Sequence, residues 1–281
     1  MAASTGTEVR ADGWVKVFDE IGLDDVPLVG GKNASLGEMY QALTPLGVRV
    51  PNGFAVTASA YWETLKASDT LTKLHELLDT LDMDDVVELH KRAEKARHLV
   101  HAQPLPADIE AAVLEGYARL REEYGDEVSL AVRSSATAED LPEASFAGAH
   151  ETYLNVKGEY ALIDAVRRCF ASMFTDRGIH YRTENGFGQL DVAQSVTVMK
   201  MVRSDLASSG VLFTLDTESG FRDTVFITGA YGLGENVVQG AVDPDEFHVF
   251  KPTLKQGHER VLRRKLGAKE IKMIYGKGKI G

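Results

Sequence analysis

The amino-acid sequence predicts an α+β protein of two lobes, and three observations support this fold class. Apolar residues alternate in a short run at Trp14–Phe18, as they do in a strand. Residues 58–125 instead carry apolar residues at helical spacing, and the last third of the chain alternates again. We therefore expect a first lobe at 1–188 with a helical insert at 58–125, and a β-rich second lobe at 189–281.

A helix and a second strand are predicted to follow the first strand. Two glycines, Gly30 and Gly31, precede a run of residues to Leu43 whose apolar members have helical spacing. The segment Val50–Val56 contains Pro and Gly and is typical of a turn that leads into a strand.

The insert at 58–125 is predicted to contain two well-marked helices. Asp84 is expected to cap the first of them, and Pro104 ends it. The second helix carries apolar residues from Ile109 onwards and stops at Gly125. No charged residues in these helices have a catalytic spacing, so we interpret them as scaffold.

The strand after the insert is expected to present a functional arginine. Apolar residues alternate from Val128 to Val132, so the strand is predicted to place Arg133 at its end. Residues 134–148 are rich in small and hydroxyl side chains and are predicted to form a long loop, a kind of segment that is commonly functional. An amphipathic helix is predicted at 160–184.

The second lobe is predicted to consist mainly of strands. Its alternating or apolar runs lie at 192–202, 211–213, 225–227 and 247–250. The chain ends on Tyr275–Gly281 with no closing element, so we expect this lobe to be truncated.

Composition excludes several classes of protein. With 31 Lys and Arg against 42 Asp and Glu, the 281-residue chain has a formal charge of −11, which argues against nucleic acid or an anionic membrane as partner. Cys169 is the single cysteine, so neither an internal disulfide nor a cysteine zinc site can form. No apolar run reaches the ~20 residues of a membrane span, and residues 1–13 lack the apolar stretch of a signal peptide. A cytoplasmic location is therefore predicted.

The tripeptide Gly30–Lys32 has the composition of a phosphate-binding turn. Glycines let the backbone approach a phosphate closely, and a lysine adds a point charge for its oxygens. The segment is not a Walker A motif, because the first glycine of that motif is absent and Asn33 replaces its Ser or Thr. A strand-to-helix turn with a solvated lysine accounts for the same residues.

Arg133 is the second candidate cation. A guanidinium can hold phosphate oxygens in a bidentate manner, and hydroxyls of the following residues can add neutral donors: Ser134, Ser135 and Thr137. The alternative is that Arg133 pairs with Glu139 or Asp140 and holds the loop in place.

Carboxylates in the second lobe are candidates for a metal site. Glu235, together with Asp216 and Glu218, offers the oxygen ligands that Mg²⁺ prefers. Polar turn residues are the alternative interpretation. The eight histidines include no pair with H-E-x-x-H spacing.

Five segments along the chain resemble those of a known family. They read, in order, VGGKNASLGEM, VPNGFAVT, AVRSSATAEDLPEASFAGAHETYLNV, MVRSDLASSGVLFTLDTESGF and GAYGLGENVVQGAVDPDEFHVFKPTL. Together they resemble the N-terminal ATP-binding domain of the phosphoenolpyruvate synthases (pyruvate, water dikinases), within the wider pyruvate phosphate dikinase family. The matching stretches run from about Val15 to Tyr275.

The resemblance implies an ATP-grasp-like fold that binds ATP and Mg²⁺. Carried over by position, Lys32 and Arg133 are implied to contact the triphosphate and to be catalytic. The loop at 134–148 is implied to close over the phosphates. The implied nucleotide-binding residues are Lys32, Arg133, Ser134, Ser135, Thr137, Gly148 and Thr152, and the implied metal ligand is Glu235.

The reaction implied for the whole enzyme is ATP + pyruvate + water → AMP + phosphoenolpyruvate + phosphate, through a phosphohistidine. None of the eight histidines has the Gly-Gly-x-x-x-His context of that residue. We therefore expect the carrier histidine and the pyruvate site to lie on domains absent here, and the chain alone to be inactive in the full reaction. Uncovered sheet edges predict a homo-oligomer. A rifamycin-type antibiotic phosphotransferase and a non-catalytic binding module remain as alternatives.

Overall fold

The computed structural model describes residues 13–137, 151–258 and 261–276, and its architecture is mixed α+β. The strands in these ranges form two antiparallel sheets. The chain divides into two compact units, of which the first ends at Met201 and the second begins at Val202.

The first unit is built on a five-stranded sheet. Its strands, in spatial order, are β1 (Val15–Val17), β2 (Gly53–Val56), β5 (Gln194–Lys200), β3 (Leu130–Ala136) and β4 (Thr152–Val156). Strand β5 lies between β2 and β3 and pairs with both. This pairing is why the first unit extends to Met201, whereas the sequence placed a boundary at 188.

Helices cover both faces of this sheet. Their bounds are α1 (Val26–Leu43), α2 (Ala58–Lys66), α3 (Thr70–Leu78), α4 (Val86–His101), α5 (Ala107–Tyr124), α6 (Glu159–Ala171) and α7 (Asp176–Glu184). The main hydrophobic core lies on one face, where Phe54 and Val198 of the sheet pack with helices α2 to α7. On the other face lies α1, whose Asn33 contacts Ser195 of β5. The sheet is therefore a middle layer, with α1 on its more polar side.

Residues 58–125 contain the helices α2 to α5, and the predictions for two helix boundaries along the chain are corrected. Asp85 and not Asp84 caps α4, since Asp85 Oδ1 accepts a hydrogen bond from Glu88 N at 2.9 Å. The helix predicted at 160–184 is two helices, because Thr175 adopts an extended backbone and caps α7.

Strand β3 is longer than predicted. It runs to Ala136, so Arg133 lies in the middle of the strand and not at its end. Ser134 and Ser135 are consequently strand residues, although the sequence placed both in the loop. The loop residues 138–148, with Gly148 among them, lie outside the described residues.

The second unit is built on a four-stranded sheet. Its order is β6 (Ser208–Phe213), β7 (Thr224–Tyr231), β8 (Asp245–Phe250) and β9 (Val261–Lys265), with short helices α8 (Glu235–Val238) and α9 (Lys251–Lys255). The predicted strands at 211–213, 225–227 and 247–250 fall within β6, β7 and β8. Strand β9 was not predicted, because its basic residues resemble a solvated surface.

Two features bear on the chemistry of the whole chain. Across the described ranges, no helix combines the length and the apolar character that crossing a bilayer requires. Cys169 lies on α6 inside the core and is fully buried. Burial raises the pKa of its thiol well above the ordinary value, so the thiolate is disfavoured.

Candidate functional site

Helix α1 is broken at Gly30, which has φ 75° and ψ 161°. A side chain at this position would be strained by the positive φ. A Cβ would also collide with Ser135 Oγ and with the carbonyl oxygens of Ser135 and Ala136. The turn at Gly30 therefore lies directly against the end of β3.

This close approach brings the two predicted cation-bearing segments to one face of the first sheet. Lys32 lies in the first turn of the continuation of α1, two residues after the break. Arg133 lies on β3, opposite Thr152 of β4 and Thr197 of β5. Directly opposed residues of antiparallel strands share a face, so these three side chains form a row across the sheet.

The two candidate cations, Lys32 and Arg133, are both half-buried. Arg133 forms no ion pair with any carboxylate in the described ranges, and its alternative partners Glu139 and Asp140 lie outside those ranges. Beside it, Thr197 Oγ1 is buried and has no hydrogen-bond partner among the residues that the structure describes. This part of the sheet thus carries a cation without an ion pair and a hydroxyl without a hydrogen-bond partner among the described residues.

The three predicted hydroxyl donors occupy different positions. Ser134 lies on the opposite face from Arg133, and its Oγ donates to Glu151 O at 3.2 Å. Thr137 Oγ1 donates to Ala193 O at 3.3 Å. Ser135 shares the face of Arg133, and its Oγ is buried behind Gly30. The structure therefore brings Ser135 and Thr152 together with Arg133, whereas the hydroxyls of Ser134 and Thr137 bond to the backbone.

Glu235 lies at the start of α8 in the second unit and is exposed. Its Oε1 accepts a hydrogen bond from Gln239 Nε2 at 2.8 Å. Asp216 accepts hydrogen bonds from the backbone N–H groups of Ser219 and Glu218, which lower the pKa of its carboxyl. Asp216 is thus a turn residue, in line with the alternative interpretation. No group of three His, Cys, Asp or Glu within the described parts of the chain could hold a metal ion.

Sequence reasoning missed the polar residues of β5. Ser195 and Thr197 alternate with Val196 and Val198, and all four are buried. This pattern marks a strand with one apolar face and one polar face, both covered by protein. The sequence predicts an alternating strand at 192–202, but it does not mark Ser195 or Thr197 as residues of the site.

Comparisons with known proteins agree with the resemblance. The family model described as "Pyruvate phosphate dikinase, AMP/ATP-binding domain" matches residues 26–281. The phosphoenolpyruvate synthase of Synechocystis sp. is 54% identical over 93% of this chain, and that of Escherichia coli is 52% identical over 92%. A probable phosphoenolpyruvate synthase of Methanocaldococcus jannaschii is 43% identical over 92% of the chain. The chain spans about a third of the length of the first two relatives, 32% in each case.

Proposed function

The chain belongs to the pyruvate phosphate dikinase AMP/ATP-binding domain family, and from this premise we propose that it is the ATP-binding portion of a phosphoenolpyruvate synthase. An ATP-grasp-like arrangement is part of the proposal, and the two antiparallel sheets support it. The observation that supports ATP binding is the close approach of the Gly30 turn to β3, because it brings the segments of Lys32 and Arg133 to one face of the sheet.

We assign the triphosphate to this face. Helix α1 resumes at Gly31, so the first turn of the resumed helix offers N–H groups of the kind that bind phosphate. Lys32 supplies a point charge, and Arg133 can bind two phosphate oxygens at once. Ser135, Thr152 and Thr197 are the neutral donors nearest to Arg133 along the strands, and the hydroxyl of Thr197 has no partner among the residues that the structure describes. Ser134, Thr137 and Gly148 remain proposed members of the pocket through the resemblance alone.

The proposal includes Mg²⁺, which supplies charge neutralisation to the phosphates when it is bound. Magnesium in phosphoryl-transfer sites is usually held by one or two carboxylates together with substrate phosphates and water. Glu235 is the proposed magnesium ligand through the resemblance alone, and its side chain is exposed. Its hydrogen bond to Gln239 keeps Oε1 oriented without neutralising its charge.

For the whole protein we propose the synthase reaction, in which ATP, pyruvate and water give AMP, phosphoenolpyruvate and phosphate. The role of the present residues in it is to bind and orient the nucleotide. Phosphoryl transfer depends mainly on such positioning and on electrostatic stabilisation, and two half-buried cations suit that task. The shared identity with phosphoenolpyruvate synthases favours this reaction over the antibiotic phosphotransferase alternative.

The proposal is tested by calorimetric titration of Mg·ATP into the purified chain. Lys32→Ala and Arg133→Ala should each weaken binding about 10-fold to 100-fold, because each removes a charge-assisted contact of ~1.5–3 kcal/mol. Arg121→Ala is the control, since Arg121 is paired with Asp126 at the surface of α5 and should leave the affinity unchanged. A folded chain that does not bind Mg·ATP, or two variants that bind it as the wild type does, would contradict the assignment.

A further inference from the structure

We propose that Asn33 is a positioning residue for Lys32 and that it acts through Ser195. This inference rests on the proposed function, because it concerns how the protein holds the turn that is assigned to phosphate. Asn33 is one of the two positions at which the segment departs from a Walker A motif, and in the structure its side chain lies against the sheet face that carries Ser195. It is fully buried between α1 and the sheet.

The side-chain amide of Asn33 closes the break in α1. Its Nδ2 donates to Val29 O at 2.9 Å. Val29 precedes Gly30, and its carbonyl lies four residues before Asn33, the acceptor position of a continuous helix. The side chain thus bonds across the interruption that Gly30 introduces, and it fixes the three residues between Val29 and Asn33: Gly30, Gly31 and Lys32.

The same amide ties this turn to the sheet. Asn33 Nδ2 also donates to Ser195 Oγ at 3.1 Å, and Ser195 Oγ donates to Val56 O at 2.7 Å. Ser195 lies opposite Ser135 on β3, two residues along from the position opposite Arg133. The connection therefore fixes the start of the resumed helix relative to the strands that carry Arg133 and its neighbours.

Stability alone does not account for this arrangement. Asn33 Oδ1 is buried and accepts no hydrogen bond from the residues that the structure describes. A buried acceptor without a partner costs ~1–3 kcal/mol, so a partly satisfied amide is a poor way to stabilise an interface. Holding a charged group in a fixed place explains the residue better, because a shift of about 1 Å at a phosphate contact is enough to reduce its effect strongly.

The test compares nucleotide affinity with stability in matched variants of the chain. Asn33→Ala, Ser195→Ala and the double variant remove the connection between α1 and the sheet. Gln41→Ala is the control, because Gln41 anchors the other end of α1 through hydrogen bonds from Nε2 to Phe18 O and Ile21 O. Each variant is characterised by urea unfolding and by calorimetric titration with Mg·ATP.

We expect Asn33→Ala and Ser195→Ala each to weaken Mg·ATP binding about fivefold or more, and the double variant to bind no more weakly than the worse single one. Gln41→Ala should lower the unfolding midpoint and leave the affinity unchanged. Adding Asn33→Ala to Lys32→Ala should cause no further loss, since the effect passes through Lys32.

Two outcomes would overturn the inference while leaving the ATP assignment intact. In the first, the wild-type chain binds Mg·ATP, and Asn33→Ala and Ser195→Ala bind it with the same affinity as Gln41→Ala. The other is a loss from Asn33→Ala that is as large in the Lys32→Ala background as in the wild type. A folded wild-type chain that does not bind Mg·ATP overturns the proposed function itself, and this inference with it. Ser195→Ala is the milder change and decides the matter if Asn33→Ala does not fold.

Discussion

At the scale of single residues, Gly30 meets two separate requirements, a positive φ and contact with the backbone of β3. Gly30→Ala should therefore destabilise the protein by about 2–4 kcal/mol, as the sum of backbone strain and overpacking. Gly47→Ala is the matched control, because Gly47 has φ 86° with no atom within 4 Å of an added Cβ. It should show the strain alone, ~1 kcal/mol. Equal losses in urea unfolding would mean that the contact with β3 contributes nothing.

A second residue-scale prediction concerns the start of α4. Asp85→Ala should lower the free energy of unfolding by ~1 kcal/mol, because the carboxylate caps Glu88 N. Asp84→Ala changes the adjacent carboxylate and should have little effect. Thermal unfolding of both variants measures the difference, and a larger loss from Asp84→Ala would restore the assignment that the sequence suggested.

The candidate site was predictable only in part at this scale. Lys32 and Arg133 were identified as cations beside glycines and hydroxyls, and motif resemblance added their chemistry. Thr197 and Ser195 were not identified, because the residues that a strand hydroxyl lies beside depend on the register between strands, and the sequence does not give that register. Likewise, the sequence showed Asn33 only as a departure from the Walker A motif. Its hydrogen bond to Ser195 is visible only in the structure.

At the scale of elements, two carboxylates hold α4 against α6 and α7. Each accepts hydrogen bonds from one histidine and one arginine: His101 and Arg168 for Asp164, and His90 and Arg97 for Asp176. Burial raises the pKa of each carboxyl, but the hydrogen bonds and charges of its partners outweigh burial. The pKa of each therefore lies below its ordinary 3.8.

This direction fixes the pH dependence. A depressed pKa in the folded state means that the stabilisation is present above the unfolded-state value and disappears as the pH falls below it. The double variant Asp164→Asn/Asp176→Asn should be less stable than the wild type at pH 6, and the difference should shrink as the pH falls below 3.8. Urea unfolding at several pH values provides the measurement. Asp126→Asn, in an exposed pair with Arg121, should give a small difference throughout, and a constant gap in the double variant would refute the account.

Elements with a strong period were predictable, and their interruptions were not. The apolar pattern of α6 continues past the end of the helix through Met173 and Phe174. The pattern therefore did not predict that Thr175 would cap a new helix. Strand β9 alternates weakly and is mostly exposed, which makes its sequence similar to that of a surface segment. In both cases the deciding contacts are tertiary, and they lie beyond what local periodicity can report.

At the scale of the whole molecule, the hydrophobic core formed by the described residues lies in the first unit. In the described part of the second unit, the buried apolar residues are Ala230, Leu233 and Val242. A fragment that ends at Met201 should therefore unfold cooperatively in urea, and a fragment of residues 202–281 should not fold alone. Circular dichroism of the two fragments tests this expectation. A cooperative transition in the shorter fragment would show that its sheet needs less buried surface than we infer.

The position of Cys169 makes the chain suited to site-specific labelling. Its thiol is buried and largely protonated, so a maleimide added to the folded protein should leave it unmodified. Modification then requires the core around α6 to open, and the rate of adduct formation reports how often that happens. A cysteine introduced at an exposed position would be labelled selectively, and a single fluorophore could follow nucleotide binding without removal of the native thiol.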